Sequence, residues 1–584
     1  MEYDPERITF FARTDARGKN VPFGIKAKDR SKHMYVIGKT GMGKSTLLEN
    51  MAIQDIQNGE GIAFIDPHGS TAEKLLEYVP PERIKDVLYF APFDMDYPVS
   101  FNVMEDVGYD RRHLVVSGLM STFKKIWVDA WSARMEYILS NTLLALLEYP
   151  GSTLLGVNRM LSDKAYRDMV VDNVKDPSVK SFWVDEFAKY NERYMQEAGD
   201  AIKNKIGQFT ANPLIRNIIG QPKSSFDVRQ MMDERKILII NLSKGLVGET
   251  NANLLGSMMI TRIYLSAMSR ANLSAGEIAK AAQFYFYVDE FQSFANETFA
   301  SILSEARKYK LNLTIAHQYI EQMEEEVRDA VFGNVGTTIA FRVGPLDAEF
   351  LEAVFTPTFL APDIVNLGFA QIYLSLMIDG IGSRPFSAVT LPPIEQSHIS
   401  CKDQIIASSR KMFAYPRADI EAAIHAWHAP IQKAAPPRVE KMSEKKPVVA
   451  SASRAAAPEK RVENAPVIVE KQTERPKNDL TDLRSILRTI SEKENKSKLV
   501  PKKSEPEVKK KQEGNSASDL KSALAEVLKS HTAAQVEMPA PRTVTPVAAD
   551  VPLSQKEPEG GITQKKLERM LRLTGKDNPP HHLS

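Results

Sequence analysis

The chain has 584 residues and is 43% hydrophobic, enough for at least one large core and, at roughly 150 residues per domain, for several domains. A single cysteine, Cys401, excludes an internal disulfide, and no His/Cys grouping has zinc-ligand spacing. The longest apolar runs, 236–242 and 372–378, fall far short of the roughly 18 residues of a membrane helix, and residues 1–30 are charged rather than leader-like, so the chain is not expected to span a bilayer or to enter the secretory route by itself.

The formal net charge of +2 conceals a division along the chain. Residues 431–584 carry 30 Lys+Arg against 21 Asp+Glu, a net of +9, whereas residues 1–430 carry 46 against 53, a net of −7. The basic segment has no Phe, Trp or Tyr and holds 15 of the 34 prolines. It cannot bury enough apolar surface to offset the entropy of ordering it, so a disordered tail is expected. Inside it, 482–487 and 519–524 repeat the pattern Asp-Leu-x-Ser-x-Leu, and 562–573 is a third short apolar stretch. Isolated helices of this length are marginal in water; the alternatives are helices formed on a partner and a solvated tail.

From the N-terminus, short apolar runs at 34–37, 61–65, 87–90, 236–240, 284–288, 311–316, 337–341 and 371–377 are each followed by polar-patterned segments of helical length. That succession predicts an α/β fold, a mostly parallel sheet covered by helices. Between 102 and 222 no strand-like run occurs, and Met135, Ile138, Leu139, Thr142, Leu143 and Leu146 repeat with a helical period, which predicts an inserted all-helical lobe. The expected division is therefore 1–101 and 223–395 as two parts of one α/β domain, 102–222 as the insertion, 396–430 as a short helical extension and 431–584 as the tail.

The run Gly38, Lys39, Thr40, Gly41, Met42, Gly43, Lys44, Ser45, Thr46 matches G-x-x-x-x-G-K-[ST] in full, between a predicted strand and a predicted helix. Such a loop curls so that backbone N–H groups and the helix N-terminus face a phosphate. Lys44 would neutralise the β- and γ-phosphates of ATP and the Ser45 hydroxyl would ligate Mg²⁺. The apolar run 284–288 ends in Asp289 and Glu290, at the strand end where open sheets bind ligands. Asp289 suits the metal and Glu290 suits a base for the attacking water. Gln318, after the run 311–316, would sense the γ-phosphate or be an ordinary polar residue at a strand end. Asp66, after the run 61–65, would support the metal or initiate a turn.

The order of these motifs, with 65–69 (Ile-Asp-Pro-His-Gly), 288–291 (Val-Asp-Glu-Phe), 306–309 (Ala-Arg-Lys-Tyr) and 316–318 (Ala-His-Gln), resembles the HerA/FtsK superfamily of pumping ATPases over roughly residues 20–395. The similarity is greater to the coupling proteins of conjugative type IV secretion, the TraG/TraD group. The resemblance implies a RecA-like ATPase domain, a homohexamer binding ATP between subunits, and single- or double-stranded DNA threaded through a central channel. It further implies an arginine supplied by the adjacent subunit, for which Arg307 is the candidate, with a surface helix position as the other reading. Two features depart from the pattern: coupling proteins usually carry N-terminal membrane helices, and Ser70 follows the Asp-Pro-His-Gly turn where an acidic residue is frequent. A cytoplasmic place is expected, with peripheral contact at the inner membrane left open.

Two functions compete with a DNA motor. One is an ATPase that couples protein substrates, a relaxase or an effector, to a secretion channel, which the acidic body suits. The other is an assembly protein without turnover, against which Lys44, Ser45, Asp289 and Glu290 stand. Backbone phosphates need Lys or Arg on the contacting surface, and Arg111, Arg112, Lys124, Lys125, Lys203 and Lys205 of the lobe are the candidates. Truncation at about residue 430 is expected to leave basal ATPase activity intact; loss of folding, followed by circular dichroism, would refute the reading of the tail.

Overall fold

The computed structural model describes residues 3–396 and 399–429; the tail expected from 431 onwards, with its three short motifs, lies outside the described residues. The described residues form thirteen strands: β1 (Ile8–Thr14), β2 (Pro22–Lys26), β3 (Met34–Ile37), β4 (Gly61–Asp66), β5 (Val87–Phe90), β6 (Ile237–Asn241), β7 (Phe284–Val288), β8 (Leu311–His317), β9 (Thr337–Ala340), β10 (Gln371–Ser375), β11 (Met377–Ile378), β12 (Ile381–Gly382) and β13 (Phe386–Thr390). Eleven of them make one sheet in the order β2-β1-β13-β10-β9-β3-β8-β7-β4-β6-β5. From β9 to β5 every neighbour is parallel, and from β10 to β2 every neighbour is antiparallel. The α/β sheet expected from the apolar runs is thus present, with an antiparallel wing added on one side.

That wing holds what the runs did not reveal. β1 alternates buried and exposed side chains, β13 is only partly buried, and β1 pairs with β2 through a bulge near Phe11. Half-buried strands carry period-two alternation rather than continuous apolar runs. The run 371–377 is also divided: β10 stays in the sheet, while β11 turns back through Asp379 and Gly380, both at positive φ, to pair with β12.

The central strands alternate between two cores, because successive side chains point to opposite faces. Phe284, Phe286 and Val288 of β7 face one core, and Tyr285 and Tyr287 face the other. The second core is covered by α1 (Lys44–Gln57), whose Leu47, Leu48, Met51, Ala52 and Ile56 are fully buried. The first is continuous with the segment between β5 and β6. That segment contains helices Arg112–Ile126, Ala133–Glu148, Gly156–Ser162, Lys164–Asn173, Pro177–Ser181, Glu192–Thr210 and Pro213–Ile219 and, among the described residues, no strand. Helix Arg112–Ile126 lies so close to helix Glu249–Met268 that a Cβ on Gly118 would meet the Thr261 side chain at 2.6 Å. Helices Lys402–Phe413 and Arg417–His428 follow the sheet. No helix among the described residues is long and apolar enough to cross a membrane.

One buried cation ties the second core together. Arg30 is 1% exposed, donates from Nη1 to both Asp55 oxygens at 2.7 and 2.9 Å, and donates from Nη2 to the Tyr287 hydroxyl at 2.7 Å. Its guanidinium also lies 3.8 Å above the Tyr285 ring. Removing one partner of a buried pair leaves an uncompensated charge, which costs roughly 3–5 kcal/mol. Arg30→Ala should therefore lower unfolding free energy by about that amount in denaturant titrations, and Arg30→Met with Asp55→Leu should cost less than the two single changes summed.

Candidate nucleotide-binding site

β3 ends at Ile37 and the loop 38–43 turns directly into α1. Gly41 and Gly43 adopt φ of 77° and 114°, conformations that cost little only for glycine. Gly38 is required for another reason, since a Cβ there would lie 2.5 Å from that of Phe341. The loop is anchored by the Gly38 N–H to the His317 carbonyl at 3.3 Å and the Lys39 N–H to the Arg342 carbonyl at 2.8 Å. Lys44 is 6% exposed and donates to the carbonyls of Gly38 at 2.6 Å and Lys39 at 3.2 Å. Burial pulls its ammonium below the usual lysine range, against the charges of Asp289 and Glu290. The cation is held inside the curl where a phosphate would sit.

The parallel register β3-β8-β7-β4 brings the other predicted groups to the same sheet edge. The Ser45 hydroxyl donates to Asp289 Oδ2 at 3.2 Å, so a hydroxyl and a carboxylate oxygen, both hard donors, are paired as a Mg²⁺ site needs. Burial, and after it the Asp66 carboxylate, pushes Asp289 up to about 6; a cation at this position would offset both. Asp66 takes the turn-forming alternative. Its two oxygens accept the backbone N–H groups of His68 at 2.8 Å and Ala72 at 2.9 Å, which fixes the turn and the start of helix Ser70–Glu77. It bears on the metal site through its charge.

Glu290 is a non-glycine residue with φ 49° and ψ 47°, a strained conformation of the sort that recurs at functional sites. It turns the carboxylate back over the sheet edge, where Oε1 accepts from Gln318 Nε2 and Oε2 accepts from Gln292 Nε2 at 2.7 Å. The Thr40 hydroxyl in turn donates to Gln318 Oε1 at 3.2 Å. Phosphate loop, Gln318 and Glu290 are thereby joined in one hydrogen-bonded chain, and His68 Nε2 stands 3.5 Å from Glu290 Oε1. His317, fully buried beside Gln318, is pushed down to about 3 by burial and the nearby Lys44 and Lys125 charges, and is therefore neutral.

Some candidates lie elsewhere. Arg307 is exposed just before β8, at the opposite end of that strand from Gln318. Seven strand residues at about 3.3 Å each put it roughly 20 Å from its own chain's site. Lys125, a candidate DNA contact, is half-buried and engaged within the chain. Its ammonium donates to the carbonyls of Gln292, at 2.7 Å, and Ala295, and burial lowers it to about 8. It holds the segment that carries Gln292, and so connects the helical lobe to Glu290. Arg112 pairs with Asp106 at 3.1 Å and Lys203 with Asp200 at 2.7 Å, while Arg111 bonds Asn272. Gln292 and Lys125 were missed in these roles because each depends on contacts between distant segments.

The raised Asp289 implies a cost to stability with a definite sign. Its folded value near 6 lies above the unfolded value near 4, so the penalty is absent below about pH 4 and full above about pH 6. A difference of about two units corresponds to roughly 3 kcal/mol. Asp289→Asn is expected to raise the melting temperature at pH 7.5 without added metal, to lose that advantage as pH falls towards 4, and to weaken Mg²⁺-dependent nucleotide binding.

Residues 14–263 match the family model described as the central domain of helicase HerA, and residues 283–354 match that described as the TraM recognition site of TraD and TraG. No curated protein sequence matches the chain. Among solved structures, the bacterial conjugative coupling protein TrwB in an unbound form superposes with a TM-score of 0.50 at 14% identity, covering 68% of this chain and 92% of that one. TrwB in complex with the non-hydrolysable ATP analogue ADPNP gives the same values, and at this identity the likeness concerns the fold. In chain order, then, this chain carries a segment similar to the HerA central domain and, in its second half, one similar to the TraD/TraG segment, on a phosphate loop that faces a strand-end carboxylate pair in a TrwB-like P-loop fold.

Proposed function

We propose that the protein is an ATP-hydrolysing motor that translocates DNA, as a coupling protein of conjugative transfer or a related DNA pump, and works as a homohexamer. The observation that carries the reading is the chain Thr40–Gln318–Glu290, because it ties a base for water to the loop that grips phosphate. Lys44 and the loop amides bind the β- and γ-phosphates. Ser45 and Asp289 would hold Mg²⁺, which supplies charge neutralisation on the phosphate oxygens. Glu290, oriented by Gln292 and Gln318, accepts a proton from water as its oxygen bonds the γ-phosphorus; the bond to the bridging oxygen breaks and ADP leaves. Gln318 registers the γ-phosphate through Thr40. Arg307, remote from its own site and exposed, suits a neighbouring subunit's site.

A second reading, with a relaxase or effector as cargo, is favoured by one observation: Arg112, Lys125 and Lys203 are engaged within the chain rather than presented as a basic stripe. ATP turnover measured with and without DNA at low salt separates the two. The motor reading expects DNA to stimulate turnover by the wild-type protein. Glu290→Gln should retain ATP binding while turnover falls at least about 100-fold, the scale of lost general-base catalysis. Turnover indifferent to DNA but stimulated by protein cargo would transfer the assignment to the second reading.

A further inference from the structure

The site described so far is one-sided. Asp289, Glu290 and Gln318 follow β7 and β8, on one flank of β3, while β9, β10 and β13 lie on the other. A nucleotide gripped at the loop directs its γ-phosphate towards the carboxylates, so its nucleoside must extend across the opposite flank. That flank is built. The turn 368–371 is closed by the Gly368 N–H donating to Gln371 Oε1 at 2.7 Å. It is pinned to the phosphate loop by the Ala370 N–H donating to the Met42 carbonyl at 3.2 Å, and to the end of β13 by the Thr390 N–H donating to the Ala370 carbonyl at 2.9 Å. Ala370 itself sits at φ 61°, strain that these bonds hold in place.

The residue this locked turn presents is Phe369, 73% exposed, more than any other phenylalanine or tyrosine among the described residues. With its flanking backbone bonded in place and its side chain mostly in water, Phe369 contributes little burial to the fold. The facing wall is the segment after β13. Asn50 Nδ2 donates to the Pro392 carbonyl at 2.9 Å, and the Ile394 N–H donates to Asn50 Oδ1 at 3.0 Å. Thr46 lies one turn before Asn50 on the same face of α1, so the segment after β13 runs beside the phosphate-loop helix, while the turn bearing Phe369 is bonded to the loop itself through Met42.

We propose that the surface beside Met42 on this flank is the nucleobase subsite and that Phe369 is the platform on which the base stacks. The proposal rests on the phosphate-binding reading of 38–45 and extends it to the other end of the ligand. A π-face stacks on any base, and such contacts contribute enough to be read as a change of about tenfold in affinity. Because the subsite offers a flat apolar surface, it would hold purine nucleotides with little discrimination between adenine and guanine.

Calorimetric titration of the full chain with ADP and with inorganic pyrophosphate, both with Mg²⁺, tests this, with oligomeric state followed by sedimentation. Phe369→Ala is expected to weaken ADP about tenfold while leaving pyrophosphate affinity and sedimentation unchanged, and Phe369→Trp to restore ADP binding. Undiminished ADP affinity in Phe369→Ala, or an equal loss for both ligands, would overturn the base platform. Altered sedimentation with unaltered ADP affinity would overturn it in favour of a contact between copies. A wild-type chain binding neither ligand would instead refute the phosphate site, and this subsite with it.

Discussion

The arrangement of the site depends on the buried Arg30 cluster. Asp55 lies near the far end of α1, whose first turn carries Ser45, and Tyr287 lies two residues before Asp289 on the strand that leads to the carboxylates. Arg30 donates to both, and the Tyr287 hydroxyl donates to Asp55 Oδ2 at 2.5 Å. The terminal nitrogens of this buried guanidinium make their bonds in a fixed fork geometry. α1 and β7 therefore cannot slide past each other without breaking several bonds to a desolvated charge. That constraint, applied at the back of the sheet, sets how closely Ser45 meets Asp289 at its front.

A second consequence of the architecture is that Glu290 stands where three parts of the molecule meet. The phosphate loop reaches it through Thr40 and Gln318, and the turn after β7 reaches it through Gln292. The helical lobe reaches that turn through Lys125, while Lys244, after β6, donates to Ser293 at 2.9 Å. Each contact is a hydrogen bond to a group that must move if the carboxylate moves. Displacement of the lobe by cargo and occupation of the loop by a phosphate would thus act on the same side chain. Coupling between work and hydrolysis needs such a shared element with two arrangements.

The antiparallel wing completes the division of labour around β3. On the parallel side, strand ends present carboxylates and an amide beside the phosphate loop; on the antiparallel side, a hydrogen-bonded turn bears Phe369 and a proline-containing segment runs beside α1. Reversal of strand direction at β10 is what brings a strand's beginning, with its preceding turn, to the edge where the parallel strands end.

The phosphate loop and the strand ending in Asp289 and Glu290 are determined by sequence alone, because each is a contiguous string whose backbone conformation its own residues impose: glycines at positive φ in 38–43, and an apolar run that must stop where charge begins. The parallel strands were legible for a related reason, since burial on both faces demands continuous apolar runs. β1, β2 and β13 were not, because a half-buried edge strand mixes polar and apolar residues and is recognised only by its partners. Tertiary structure alone decided that Asp66 accepts from the first turn of a helix, that the Lys125 ammonium is bonded to the segment after β7, that Arg307 stands at the far end of β8, and that Phe369 is exposed next to the residue that bonds Met42. In each case the residue type allowed several roles. The choice came from contacts between segments far apart in the chain, which no local pattern encodes.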